Sequence, residues 1–269
     1  MIIIHFLFFS CFSTKETPTL AQPTELRLFN LNDLAIRKNT LSATTDIQEK
    51  SQLYWLYGVQ NNDIEAFILS RGLGISCLQE HTSFQIDQIQ HPDIAWKQFS
   101  WFPNSKCDQE NASTILRIPK TSYYTACVTW TILSWSKILQ HYNLDKGSVD
   151  ADIIFYLAAW LVENESCIGS EWTTLAIAIA QLQMEKDPRI SIPEKDLRAA
   201  VEKRIQSLAS DSKIREYAQV WYIVHRLRTE LISQAEKKEW QQILKQLRER
   251  GTYSEYEPFV SEIEQYLDN

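Results

Sequence analysis

Three carboxylates, Glu163, Glu165 and Glu171, flank a break between two apolar helical stretches. Paired carboxylates are the groups that cleave glycosidic bonds, one donating a proton while the other acts as base or nucleophile. The acid needs a raised pKa, and Trp160 or Trp172 offers apolar surface beside which it would stay protonated. The same residues also read as two solvated helix ends, with Glu171 favourable in a first turn. Other chemistry is thinner. His81, His91, His141 and His225 are dispersed without H-x₃-H or HExxH spacing, so the sequence offers no metal-ligand set. His225 lies one residue from the apolar stripe of its helix and is expected to pack there. Ser134–Lys137 and Ser210–Lys213 have the S-x-x-K spacing without the S-D-N and K-T-G companions of a penicillin-binding site. No G-x-S-x-G elbow and no glycine-rich phosphate cradle occur, so no cofactor is expected.

The run Glu165-Ser166, followed by Ala176-Ile177-Ala178-Ile179-Ala180-Gln181, resembles the lysozyme-like lytic transglycosylases over about 17 residues. In that family a Glu-Ser at a helix end supplies the general acid, and a later small-residue run ends in a Gln. The resemblance implies an acid role for Glu165. A second stretch, from Leu53 to Gly74, resembles the helix–turn–helix of an ankyrin repeat. No second copy follows at the repeat period, and repeats need neighbours to bury their faces.

Aromatic residues make up 12% of the chain, with 9 tryptophans. Most of these fall on apolar stripes and belong to the core. Trp96, Phe99, Trp101 and Phe102 differ, because they crowd an irregular stretch, and they are read as an exposed contact patch.

The elements that must position these groups are helices. Only 6 glycines occur, against roughly 19 at average usage, which disfavours Rossmann and P-loop folds and barrels with many hairpins. The fold class expected is mainly α, an antiparallel helix bundle or irregular helical array, with a less regular segment at about 75–119. Asp46 caps a first helix that reaches Gly58, and Ile64, Phe67 and Ile68 begin a short second one that stops at Gly72 and Gly74. Ser122–Tyr142 has one apolar face, although Val128, Thr129, Thr131 and Ile132 favour strands. Val149–Glu163 is apolar almost all round, as a central buried helix would be. Ser166–Gly169 interrupts it, and Ser170 caps the stretch from Trp172 to Lys186. The prolines of 187–193 mark a firm boundary and a possible subdivision. Four amphipathic helices follow: Glu194–Leu208, one capped by Asp211 and reaching Leu231, one around Trp240 that stops near Gly251, and one opened by Ser254.

Met1–Phe12 is an apolar run of signal-peptide length, and Thr19-Leu20-Ala21 offers a small-x-small cleavage site. Residues 1–21 are therefore read as a secretory leader and 22–269 as a single domain. A packed N-terminal segment and a lipid-modified Cys11 are the alternatives. Loss of the leader leaves Cys77, Cys107, Cys127 and Cys167, whose pairing stays open among three arrangements. Two disulfides or fewer and no metal are expected. Export to a periplasmic or extracellular space is favoured over the cytoplasm.

Charge divides the chain. Residues 186–250 carry 15 basic and 10 acidic side chains, whereas 251–269 carry 5 acidic and none basic. Interleaved signs suit a solvated helical surface, and no nucleic-acid motif accompanies them. The acidic tail is expected to fold back on the basic helices through Phe259, Val260, Ile263 and Leu267. Two functions remain open: a protein acting by surface contacts with a partner, and a glycan-cleaving enzyme using Glu165 and Glu171.

Overall fold

The computed structural model describes residues 44–80, 121–142, 149–168, 170–185, 187, 193–227, 233–249, 263, 264 and 267. Among the described residues there are helices and no strand. They are α1 (Ile47–Asn61), α2 (Ile64–Glu80), α3 (Ser122–Tyr142), α4 (Val149–Ile168), α5 (Glu171–Met184), α6 (Glu194–Ser207), α7 (Lys213–Leu227) and α8 (Gln234–Glu249). The proposed leader, Phe12–Ala43 and the aromatic patch at 96–102 lie outside the described residues.

Local chemistry explains the boundaries. The Asp46 side chain accepts the Glu49 N–H at 2.8 Å and starts α1. That helix ends at Asn62, whose left-handed φ of 50° turns the following Asp63 N–H back onto the Gly58 carbonyl at 3.0 Å. Asp63 then accepts the N–H groups of Glu65 and Ala66, at 2.9 and 3.3 Å, to open α2. Ser170 caps α5 through the Thr173 N–H at 3.2 Å, as its position in the sequence implies. Before α7 the expectation fails by one residue: Ser212, not Asp211, accepts the Ile214 N–H at 3.2 Å.

The second helix does not stop at Gly72 and Gly74. It continues to Glu80, so residues 75–80 of the segment expected to be less regular are helical. Gly74 is a close-approach glycine rather than a breaker. A Cβ there would stand 2.1 Å from Thr131 Oγ1 and 3.3 Å from the Cys127 carbonyl oxygen on α3. Above and below it, Ser134 Oγ donates to Ser70 Oγ at 2.6 Å, and Cys77 forms a disulfide with Cys127. The pairs 70–134, 74–131 and 77–127 run in opposite senses, so α2 and α3 are antiparallel. Gly58 acts alike inside α1, since a Cβ would meet the Phe67 ring at 2.8 Å.

The β-branched run of α3 stays helical because its hydroxyls are satisfied within the helix. Thr125, Thr129 and Thr131 donate to the carbonyls of Thr121, Thr125 and Cys127 at 2.9, 2.7 and 2.7 Å. Burial of the apolar residues around them then outweighs the propensity. Helix α4 is central, as its composition implies: every residue from Ala151 to Val162 is buried.

The core is organised around aromatic rings from different helices. Trp55 of α1, Trp130 of α3 and Trp172 of α5 meet pairwise with ring centroids 5.1–5.7 Å apart. Tyr217 of α7 stacks edge-on against Trp55 at 5.8 Å, and Trp221 against Tyr217 at 5.6 Å. Such contacts add to the apolar area that each ring removes from water. The Lys137 ammonium lies 4.4 Å from the Trp221 ring centroid and closes the outer end of the row. Helices α5, α6 and α7 touch one another, whereas α8 makes only sparse contact with the other described helices.

Two glycines two residues apart in α2 should respond oppositely to alanine. Gly72 has open space around its Cβ position, so Gly72→Ala should stabilise by about 0.5–1 kcal/mol through helix propensity. Gly74→Ala should destabilise, because the Thr131 hydroxyl it would strike is held by its own hydrogen bond. Equal melting temperatures for the two variants would contradict the seam. Trp160 is fully buried in α4, and Trp160→Ala should cost about 3–5 kcal/mol in denaturant unfolding.

Candidate functional site

The chemically capable groups of the described residues gather at the two ends of α5. At its N-terminus, Glu171 occupies the first turn, where the helix dipole favours a carboxylate. Its Oε1 accepts the Ala209 N–H at 3.2 Å and its Oε2 the Ser212 hydroxyl at 2.8 Å. Both oxygens are thus engaged in fixing the corner between α6 and α7. Glu163 and Glu165 stand on the last turns of α4, but their side chains lie outside the described residues. Gln181, which ends the small-residue run, is fully buried in α5.

At the other end, Glu185 follows the last turn of α5, where the dipole disfavours negative charge. Two cationic or protonatable partners offset this. Arg198 Nε of α6 donates to Glu185 Oε1 at 2.8 Å, and His225 Nε2 of α7 lies 3.1 Å from Glu185 Oε2. His225 does pack, as its place on the helix suggests, but through a buried hydrogen bond invisible in the sequence. Burial alone would raise the Glu185 carboxyl. The hydrogen bonds from His225 and Arg198 oppose it and hold the group below the usual carboxylate value.

The polar row continues outward along α7. The Tyr222 hydroxyl donates to Glu202 Oε1 at 2.6 Å. Burial, and then this bond to a carboxylate, push the phenol well above its ordinary pKa. Arg226 Nη2 donates to Glu236 Oε1 at 2.7 Å. The other oxygen of Glu236 accepts from the Ser233 backbone at 2.9 Å and the Ser233 hydroxyl at 2.6 Å, forming a capping box at the start of α8. Hydrogen bonds from Ser233 lower the Glu236 carboxyl pKa. The S-x-x-E spacing at 233–236 was the signal available in the sequence for this box.

Other candidates separate in space. Ser134 points its hydroxyl to Ser70, while Lys137 rests on the rings of Tyr217 and Trp221. The S-x-x-K spacing here joins two packing residues. A groove of about 280 Å³ lies between α8 and the helical C-terminal residues, lined by Gln241, Leu244, Lys245, Arg248, Glu264 and Leu267. Ile263 is fully buried and Leu267 nearly so, and Glu264 is ion-paired with Arg248. The tail therefore does fold back through its apolar face, as far as these residues describe it; Phe259 and Val260 lie outside them.

The lowered pKa of Glu185 has a consequence for stability. In the unfolded chain this carboxyl returns towards 4.5, so the ionised form stabilises the fold above that pH. The contribution is lost as pH falls through the lower folded value. Glu185→Gln should melt earlier than wild type at neutral pH and show a shallower decline in melting temperature below pH 4.5. An unchanged acid limb would show that the carboxylate is not engaged. Comparison of the chain with protein families, with characterised proteins and with solved structures finds no match, so a functional reading rests on the residues themselves.

Proposed function

We propose that the chain is a non-enzymatic, exported helical protein that acts through surface contacts with a partner. The observation that carries this reading is the use made of its reactive groups. Both oxygens of Glu171 hold the α6–α7 corner, Glu185 is spent on Arg198 and His225, and Ser134 is spent on Ser70. Groups so engaged would have to break a structural tie before touching a substrate. Among the described residues, the outer surfaces of α6 and α8 offer exposed charge for recognition, at Lys195, Lys203, Lys238 and Lys245. Export is supported by the Cys77–Cys127 bridge, since buried disulfides persist in oxidising compartments.

The competing glycan-cleaving reading needs Glu165 as acid, with Glu171 released from Ala209 and Ser212. Two measurements decide between them. Intact-mass spectrometry of protein from its native host should give a chain that starts after Ala21 and retains a Cys77–Cys127 bridge. An unprocessed chain with both thiols free would overturn export. Incubation with peptidoglycan should release no fragments; release that disappears in Glu165→Gln would replace the contact reading by the enzymatic one.

A further inference from the structure

A glutamine amide carries both donors and acceptors, so burying it dry is unfavourable. Gln181 is fully buried in α5, and its neighbours on that helix, Ile177, Ala178 and Met184, are apolar and buried as well. Neither its Oε1 nor its Nε2 has a hydrogen-bond partner among the described residues. Glu185 follows one turn later, at i+4, so the two side chains leave the α5 backbone on one side. Its Oε1 accepts from Arg198 and its Oε2 is bonded to His225, which leaves each carboxylate oxygen a second lone pair. The Cβ atoms of such a pair stand about 5–6 Å apart. The amide and the carboxylate are not bonded to each other directly. Arg198, with its side chain 23% exposed against 5% for Glu185, forms the solvent end of this polar row.

We propose that buried water joins the Gln181 amide to the Glu185 carboxylate and extends the Arg198–Glu185–His225 tie one turn further into α5. Water is the ligand class that answers both halves of the amide, because it donates and accepts. An anion would answer Nε2 alone and be repelled by Glu185. A cation would answer Oε1 alone and compete with Arg198 for the carboxylate. Donation from water to Glu185 favours its ionised form, in the same sense as the bonds from His225 and Arg198. The site is independent of the surface-contact reading above and stands or falls without it.

The test uses the full chain with nitrogen-15-labelled glutamine. Cross-relaxation between water and the Gln181 side-chain amide protons, identified by their disappearance in Gln181→Met, should be seen in nuclear Overhauser spectra. Its sign should invert in the rotating frame, which separates a resident water from proton exchange. Absence of this cross-relaxation in the wild-type chain overturns the site, whatever the variants do. Gln181→Met keeps the side-chain length without the hydrogen-bonding groups. It should melt roughly 2–4 °C lower at neutral pH. It should also show a shallower decline in melting temperature below pH 4.5, because Glu185 then lacks one donor and its carboxyl moves back towards that value. In a Glu185→Gln background the same substitution should leave the acid limb unchanged. A higher melting temperature for Gln181→Met overturns the proposal, since it would show a dry amide replaced by apolar bulk. A lower one with an unaltered acid limb overturns it too, by giving the amide a partner other than Glu185.

Discussion

The aromatic row of Trp130, Trp172, Trp55 and Tyr217 is the contact on which the arrangement of helices depends. Each ring comes from a different helix, and together they fix α1, α3, α5 and α7 around one point. Large flat rings have few tilted or edge-on solutions, so they constrain orientation more than aliphatic side chains of equal burial. Moving α1, α3 or α5 would open space beside the other two, and moving α7 would uncover Trp55. The remaining features serve this centre: the α2–α3 seam holds α3 from behind, and the polar ties at both ends of α5 stop α6 and α7 from sliding.

The seam shows how small residues substitute for apolar bulk. Ser51, Ser70 and Ser134 are fully buried, and their hydroxyls bond to one another and to the carbonyls of Ser51 and Ser70. With Gly74 beneath them, the backbones of α2 and α3 come close enough for the Cys77–Cys127 bridge, whose Cα atoms are 6.1 Å apart. Fully bonded hydroxyls cost little to bury, whereas a lone one would be expensive.

Polar groups at the ends of α5 follow a different logic. Glu171 sits where the helix dipole welcomes it and can serve as a simple acceptor for the next corner. Glu185 sits where the dipole opposes it and requires Arg198 and His225. The pairing is buried, so its strength lies in complete engagement more than in Coulomb attraction between exposed charges. Outward from it, Tyr222–Glu202 and Arg226–Glu236 carry the polar connection on to α8, which leads to the groove and the C-terminal turn.

Local sequence accounts for the helical class, the central place of α4, the caps at Asp46 and Ser170, the separation of α5 from α6 and the apolar attachment of Ile263 and Leu267. These are local properties: the spacing of apolar residues, a hydroxyl or carboxylate ahead of a helix, a proline that cannot continue one. Tertiary structure alone decided that Gly58 and Gly74 lie inside helices, because their role is set by Phe67 and Thr131 on other helices. It decided that Thr129 and Thr131 remain helical, since burial of α3 outweighs their strand preference. It also gave Glu171 and Glu185 their partners, which lie 38 to 41 residues away for the first and 13 and 40 for the second. A hydrogen bond across such separations leaves no periodic trace in the chain, because nothing links the two positions until the helices between them have packed.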